Sequence, residues 1–183
     1  LNIETLEYIN QDHHDELLER LLGTIFHLTL RGNLDQIIKD KYVGHNREER
    51  YKLNPGSYGS FGRKRGWVSL FELREESQET IGEISTLYFL HSNWFFTQNN
   101  PDSEEANLAY LLFSEDESHR LITNAVGRKE QVNSGQGGQI IPKTECWFPG
   151  DMSLDYISHA LSVKIIRKLS DREKAIKGAH NLK

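Results

Sequence analysis

Residues 25–34 read Ile25-Phe26-His27-Leu28-Thr29-Leu30-Arg31-Gly32-Asn33-Leu34, IFHLTLRGNL. Two periodicities meet in these ten residues. From Ile25 to Leu30 the alternation predicts a short strand with His27 and Thr29 on one face. Gly32 then turns the chain, and Asn33 is a good N-cap for a helix whose Leu34, Ile37 and Ile38 share one side. A strand that delivers a His-x-Thr pair to the mouth of a helix carries polar groups where a core strand keeps apolar ones.

Outward from this stretch, strands and helices mix without the regular spacing of repeated βαβ units. The expected class is therefore α+β. Residues 3–22 predict a helix through Leu6, Ile9, Leu17, Leu18, Leu21 and Leu22, with Gly23 as its stop. Residues 43–65 read as a loop rich in glycine and charge. Trp67–Leu73 (WVSLFEL) predicts a second strand, 75–82 a polar helix, and 84–96 an aromatic-rich segment. Pro101 opens a turn or helix, 108–113 (LAYLLF) predicts a buried strand, and 115–130 is helical or looped. A glycine-rich loop, NSGQGGQ at 133–139, leads into a strand over 140–148 that carries Glu145. Ser153 caps a short helix, and 163–166 forms a last strand. The domain reading is a helical extension at 1–22, one domain at 23–166, and a basic tail at 167–183.

With 183 residues, 37% of them hydrophobic and 27% charged, the chain can bury one core. It lacks the long apolar run that a membrane helix requires, and the polar start LNIETLEYINQDHH lacks the apolar stretch of a signal peptide. The single cysteine, Cys146, excludes an internal disulfide framework and fits the cytoplasm. A net charge of −5 argues against indiscriminate binding of polyanions. Arg63-Lys64-Arg65 and the Lys/Arg-rich end are nevertheless local basic surfaces that suit phosphates.

The order of these features resembles the ADP-ribosyltransferase fold, most closely the DNA-targeting toxins of the DarT type. The residues that carry the resemblance are His27 and Thr29 on the early strand, Asn33-Leu34 and Ile37-Ile38 on the helix, Phe71 and Arg74 on and after the second strand, Glu145 on the late strand, and Asp155-Tyr156-Ile157 beyond it. They span 25–166. The resemblance implies an ADP-ribosyltransferase-like split β-sandwich with flanking helices and NAD as co-substrate. It implies catalytic roles for Glu145 and Arg74, and contacts to NAD from His27, Thr29, Asn33, Ser69 and Phe71. It also implies a toxin or phage-defence effector acting on nucleic acid, with a DNA base as acceptor, single-stranded nucleic acid as partner and a cognate antitoxin. The insert between the first helix and the second strand is longer than in those toxins, and the aromatic-plus-proline stretch that follows their second strand is absent.

Chemistry explains the residue types. Cleaving the nicotinamide–ribose bond passes through a cation-like sugar, as in glycoside hydrolysis, and a carboxylate beside the ribose favours that charge. Two alternatives remain open: a non-catalytic α+β module that binds a partner or nucleic acid, and an RNA 2′-phosphotransferase-like enzyme that also consumes NAD. The run Asp12-His13-His14-Asp15-Glu16 has ligand-type residues, but neighbours on a helix diverge by about 100°, so no metal site is expected. Glu145 and Cys146 are adjacent on a strand and must face opposite ways, which sends the thiol to the core if the carboxylate faces a cleft.

Overall fold

A computed structural model of the chain describes residues 1–9, 14–51, 59–75, 77, 81, 105–135 and 141–166. Its elements are β1 (Asn2–Ile9), α1 (His14–Leu21), β2 (Ile25–Leu30), α2 (Arg31–Asp40), β3 (Tyr42–Val43), α3 (Phe61–Arg65), β4 (Trp67–Glu72), β5 (Glu105–Phe113), α4 (Asn124–Asn133), β6 (Glu145–Pro149), β7 (Met152–Ser153) and β8 (Ile157–Ile166). Among the described residues, one six-stranded sheet runs in the order β1-β8-β5-β2-β4-β6, and β3 pairs with β7 in a small second sheet. The β1–β8 pair is parallel and the other neighbours in the large sheet are antiparallel. This is a mixed α+β architecture, as the sequence predicts.

The period-2 pattern sends alternate side chains to two apolar layers. On one face Phe26, Tyr110, Leu112, Leu161 and Val163 pack with Leu17, Leu18 and Leu21 of α1. On the other, Ile25, Leu70, Leu111, Cys146 and Ala160 pack with Leu34 and Ile37 of α2. Each fully buried leucine contributes about 1.5–3 kcal/mol of transfer free energy. A helix on each face is therefore what the two patterns at 14–21 and 31–40 produce. Cys146 is buried on the α2 side, and removal from water pushes its thiol well above the ordinary range.

Several expectations change. Residues 2–9 are an edge strand paired with β8, where the sequence predicts the start of a helix, and the helix among the described residues of 3–22 covers His14–Leu21. The helix after β2 begins at Arg31, with Leu30 at the N-cap position, so Asn33 lies inside its first turn and is no cap. The predicted loop at 43–65 contains β3 at its start and the short helix α3, which Ser60 caps by accepting from the Arg63 amide. The predicted strand at 140–148 runs from Glu145 to Pro149, and the last strand begins at Ile157. Ser153 does cap a single helical turn, with its hydroxyl accepting from the Asp155 amide. The aromatic segment at 84–96, the turn at Pro101, most of 75–82, most of the glycine-rich loop and the tail at 167–183 lie outside the described residues.

Candidate functional site: a fork in the sheet at His27

β2 pairs with β4 at only two positions, Ile25 with Glu72 and Phe26 with Phe71. Beyond them the strands part. β2 continues along β5 as far as Leu30 opposite Leu108, while β4 stays with β6 from Phe71 opposite Glu145 back to Trp67 opposite Pro149. His27 is the first residue past the branch point. Its Nδ1 lies 2.8 Å from the carbonyl oxygen of Ser69, which in an unbroken ladder would take a backbone donor from β2. The imidazole thus spans the mouth of the fork.

A carbonyl only accepts, so Nδ1 carries the proton of this bond and a neutral His27 offers Nε2 as an acceptor. Burial lowers the His27 pKa below its ordinary 6.5, and the Ser69 bond offsets part of that shift. The ring is therefore uncharged at neutral pH. Further along the same face, the Asn33 amide donates to Thr29 Oγ1 at 3.1 Å. Arg31 ties the helix start to β8 through Nε and Ser162 Oγ at 3.1 Å, and it pairs with Asp35.

Glu145 stands two strands away from β2, level with the branch point, because Phe26, Phe71 and Glu145 are aligned across three strands. At about 4.8 Å per strand the His27 and Glu145 backbones are roughly 10 Å apart. Alternation puts Glu145 on the face of Phe26 and Phe71, whereas His27 belongs to the face of Ile25 and Thr29. A ligand touching both must therefore pass through the fork.

Glu145 is 8% exposed, and its Oε1 accepts from the Trp147 indole Nε1 at 3.0 Å. Trp147 is fully buried against Phe61 and Trp67. Two glycines make room for its ring. A Cβ on Gly62 would stand 2.7 Å from the indole nitrogen and 2.8 Å from Ser69 Oγ, and one on Gly127 would stand 2.6 Å from Cη2. The start of β6 is pinned by Asn124, whose amide donates to the Pro142 and Glu145 carbonyls at 2.7 Å each.

His27, Ser69, Phe71 and Glu145 thus come from three neighbouring strands around the fork, with Thr29 and Asn33 just beyond on the α2 side. Arg74 is not brought there. It lies past the closed end of the β2–β4 pair, where its guanidinium is held by Glu72, and it borders a shallow groove of about 340 Å³ with Ile25, Phe113 and His159. The basic cluster is also largely engaged. Arg63 donates to the Asn46 and Arg47 carbonyls and pairs with Glu49, while Arg65 pairs with Glu130 and stacks over Trp67, which leaves Lys64 exposed.

Trp147 escaped the sequence reading, although its position two residues after Glu145 on a strand was a usable signal for a shared face. Among the described residues no group of three or more His, Cys, Asp or Glu could hold a metal ion, and no helix is long and apolar enough to cross a membrane. Compared with models of known protein families, with curated proteins and with solved structures, the chain matches none.

Proposed function

We propose that the chain is an NAD-dependent mono-ADP-ribosyltransferase, an effector that transfers ADP-ribose from NAD to nucleic acid, with the dinucleotide threaded through the fork. The observation that carries this reading is the opening of the sheet at His27 with a buried carboxylate level with the branch point. The resemblance to ADP-ribosyltransferases implies a split β-sandwich, and this reading takes the fork as the opening that admits NAD.

In this reading a ribose hydroxyl donates to His27 Nε2, the free acceptor of the neutral ring. The nicotinamide–ribose bond breaks with its electron pair leaving on nicotinamide, and Glu145 favours the positive charge that develops on the sugar. The acceptor base then bonds to the anomeric carbon and gives up its proton to the Glu145 carboxylate. Phe71 and Ser69 line the nicotinamide side, while Thr29 and Asn33 meet polar groups of NAD. Arg74 takes part only if it leaves Glu72.

The test is incubation of the purified chain with NAD labelled in the adenylate half and single-stranded oligonucleotides. Free nicotinamide and a labelled oligonucleotide are the expected products. Intact NAD after prolonged incubation, with any acceptor tried, overturns the reading.

A second reading has its own support. The Glu145 carboxylate already has a partner in Trp147, and alternation assigns it and His27 to opposite faces, which suits a packed module that binds nucleic acid without transfer. Oligonucleotide binding without release of nicotinamide would establish that alternative.

A further inference from the structure

We propose that Trp147 is the positioning residue for the Glu145 carboxylate. It would hold Oε1 by its indole N–H and so fix the carboxylate's rotamer beside the ribose, an inference that rests on the ribosyl-transfer reading above. Three observations converge on this indole. Its Nε1 lies 3.0 Å from Oε1, and both residues project from β6 to the same face, two positions apart. Its ring is fully buried, with edge-on contact to Phe61 at 5.8 Å between centroids and a tilted contact to Trp67 at 6.1 Å.

The third observation is the space kept clear for it. Gly62 of α3 and Gly127 of α4 approach the ring where a Cβ would overlap it: 2.5 Å from Cδ1 for Gly62, and 2.7 Å from Cε3 for Gly127. Helix interiors disfavour glycine by about 1 kcal/mol relative to alanine, yet both elements carry one where they meet this indole. The result is a donor that cannot swing away. A carboxylate on a flexible stem gains the most from such a partner, because its rotamer is fixed before substrate arrives. A hydrogen bond to the ionised form also favours that form, which an electrostatic role at the sugar requires.

The experiment removes the proton donor while keeping the shape. Trp147 is replaced site-specifically by 3-benzothienylalanine, in which sulfur takes the place of the indole N–H, and Trp147→Phe serves as a second variant that loses volume as well. Two readouts are taken. Carbon-13 NMR of the side-chain carboxyls, with the Glu145 signal assigned by Glu145→Gln, follows its titration without any turnover. Steady-state NAD consumption against pH then gives kcat and KM.

With the isosteric replacement, the Glu145 titration and the acid limb of the rate profile should both move up by about one pH unit. We expect kcat to fall about tenfold to a hundredfold, with KM for NAD changing less than about threefold. An unmoved titration overturns the proposal whatever the activity. A moved titration with unchanged kcat shows a structural bond alone and also overturns it. A wild-type chain that leaves NAD intact, even where the titration moves, defeats the ribosyl-transfer reading itself, and the positioning role falls with it.

Discussion

The packing of α4 on β6 makes a sharp prediction through Gly127→Ala. An added Cβ would sit 2.6 Å from Cη2 and 2.7 Å from Cε3 of Trp147, and closer still to Cζ3. Carbon atoms in contact rest at about 3.5–4.0 Å, so ring or helix must retreat by about 1 Å or more. The ring cannot go, because Gly62 meets its other edge and Phe61 and Trp67 lie beside it. The helix is tied by the Asn124 amide to the Pro142 and Glu145 carbonyls. Overpacking of this kind costs about 1–3 kcal/mol, while alanine regains up to about 1 kcal/mol of helix propensity. The net expectation is a loss of roughly 1–2 kcal/mol, read as a drop of roughly 0.5–1 M in the urea midpoint at unchanged slope. Val126→Ala, one residue earlier at a position 58% exposed, is the control and should hold or slightly raise stability. A Gly127→Ala chain as stable as wild type would show that α4 does not press on the indole.

Two further outcomes follow from single side chains. The lowered pKa of His27 means that below pH 6.5 the unfolded chain binds more protons than the folded one, so folding stability falls as pH drops through that region. His27→Gln should remove this increment, and denaturant titrations from about pH 7.5 to 5 should show the two chains converging as pH falls; parallel curves would contradict a desolvated neutral ring. Arg63→Ala removes the bonds to the Asn46 carbonyl, which keeps the Glu49 amide as a donor, and to the exposed Arg47 carbonyl, together with the ion pair to the largely solvated Glu49, and should cost about 1–3 kcal/mol in thermal or urea unfolding. Lys64→Ala, on the exposed side of the same turn, should change stability by less than about 0.5 kcal/mol.

Local pattern carried some of these features and tertiary pairing carried the rest. β2 was legible because six alternating residues with β-branched and aromatic types leave little else for 25–30 to be. The opposite orientation of adjacent strand residues puts Cys146 in the core only if Glu145 faces a cleft, and in the structure both are buried, on opposite faces of the sheet. Residues 2–9 misled because an edge strand half covered by its neighbour shows no clean alternation, and Leu6 and Ile9 happen to fit a helical spacing; pairing with β8 overrides that weak preference. Asn33 looked like a cap because its residue type suits one, yet the helix starts two residues earlier and Asn33 turns back to Thr29. The fork was not legible at all. It depends on where β2 and β4 stop pairing, and His27 and Ser69 are 42 residues apart in sequence. Arg74 enters the site through the resemblance alone, and nothing in the local pattern reveals that Glu72 holds it.

Whether His27 and Glu145 meet one dinucleotide is decided by a crystal structure of the chain with a non-hydrolysable NAD analogue. The nicotinamide ribose should lie across the fork, with one hydroxyl at hydrogen-bond distance from His27 Nε2 and the Glu145 carboxylate against the same sugar. An analogue bound elsewhere, or one that reaches His27 while Glu145 stays sealed behind the sheet, would contradict the ribosyl-transfer reading.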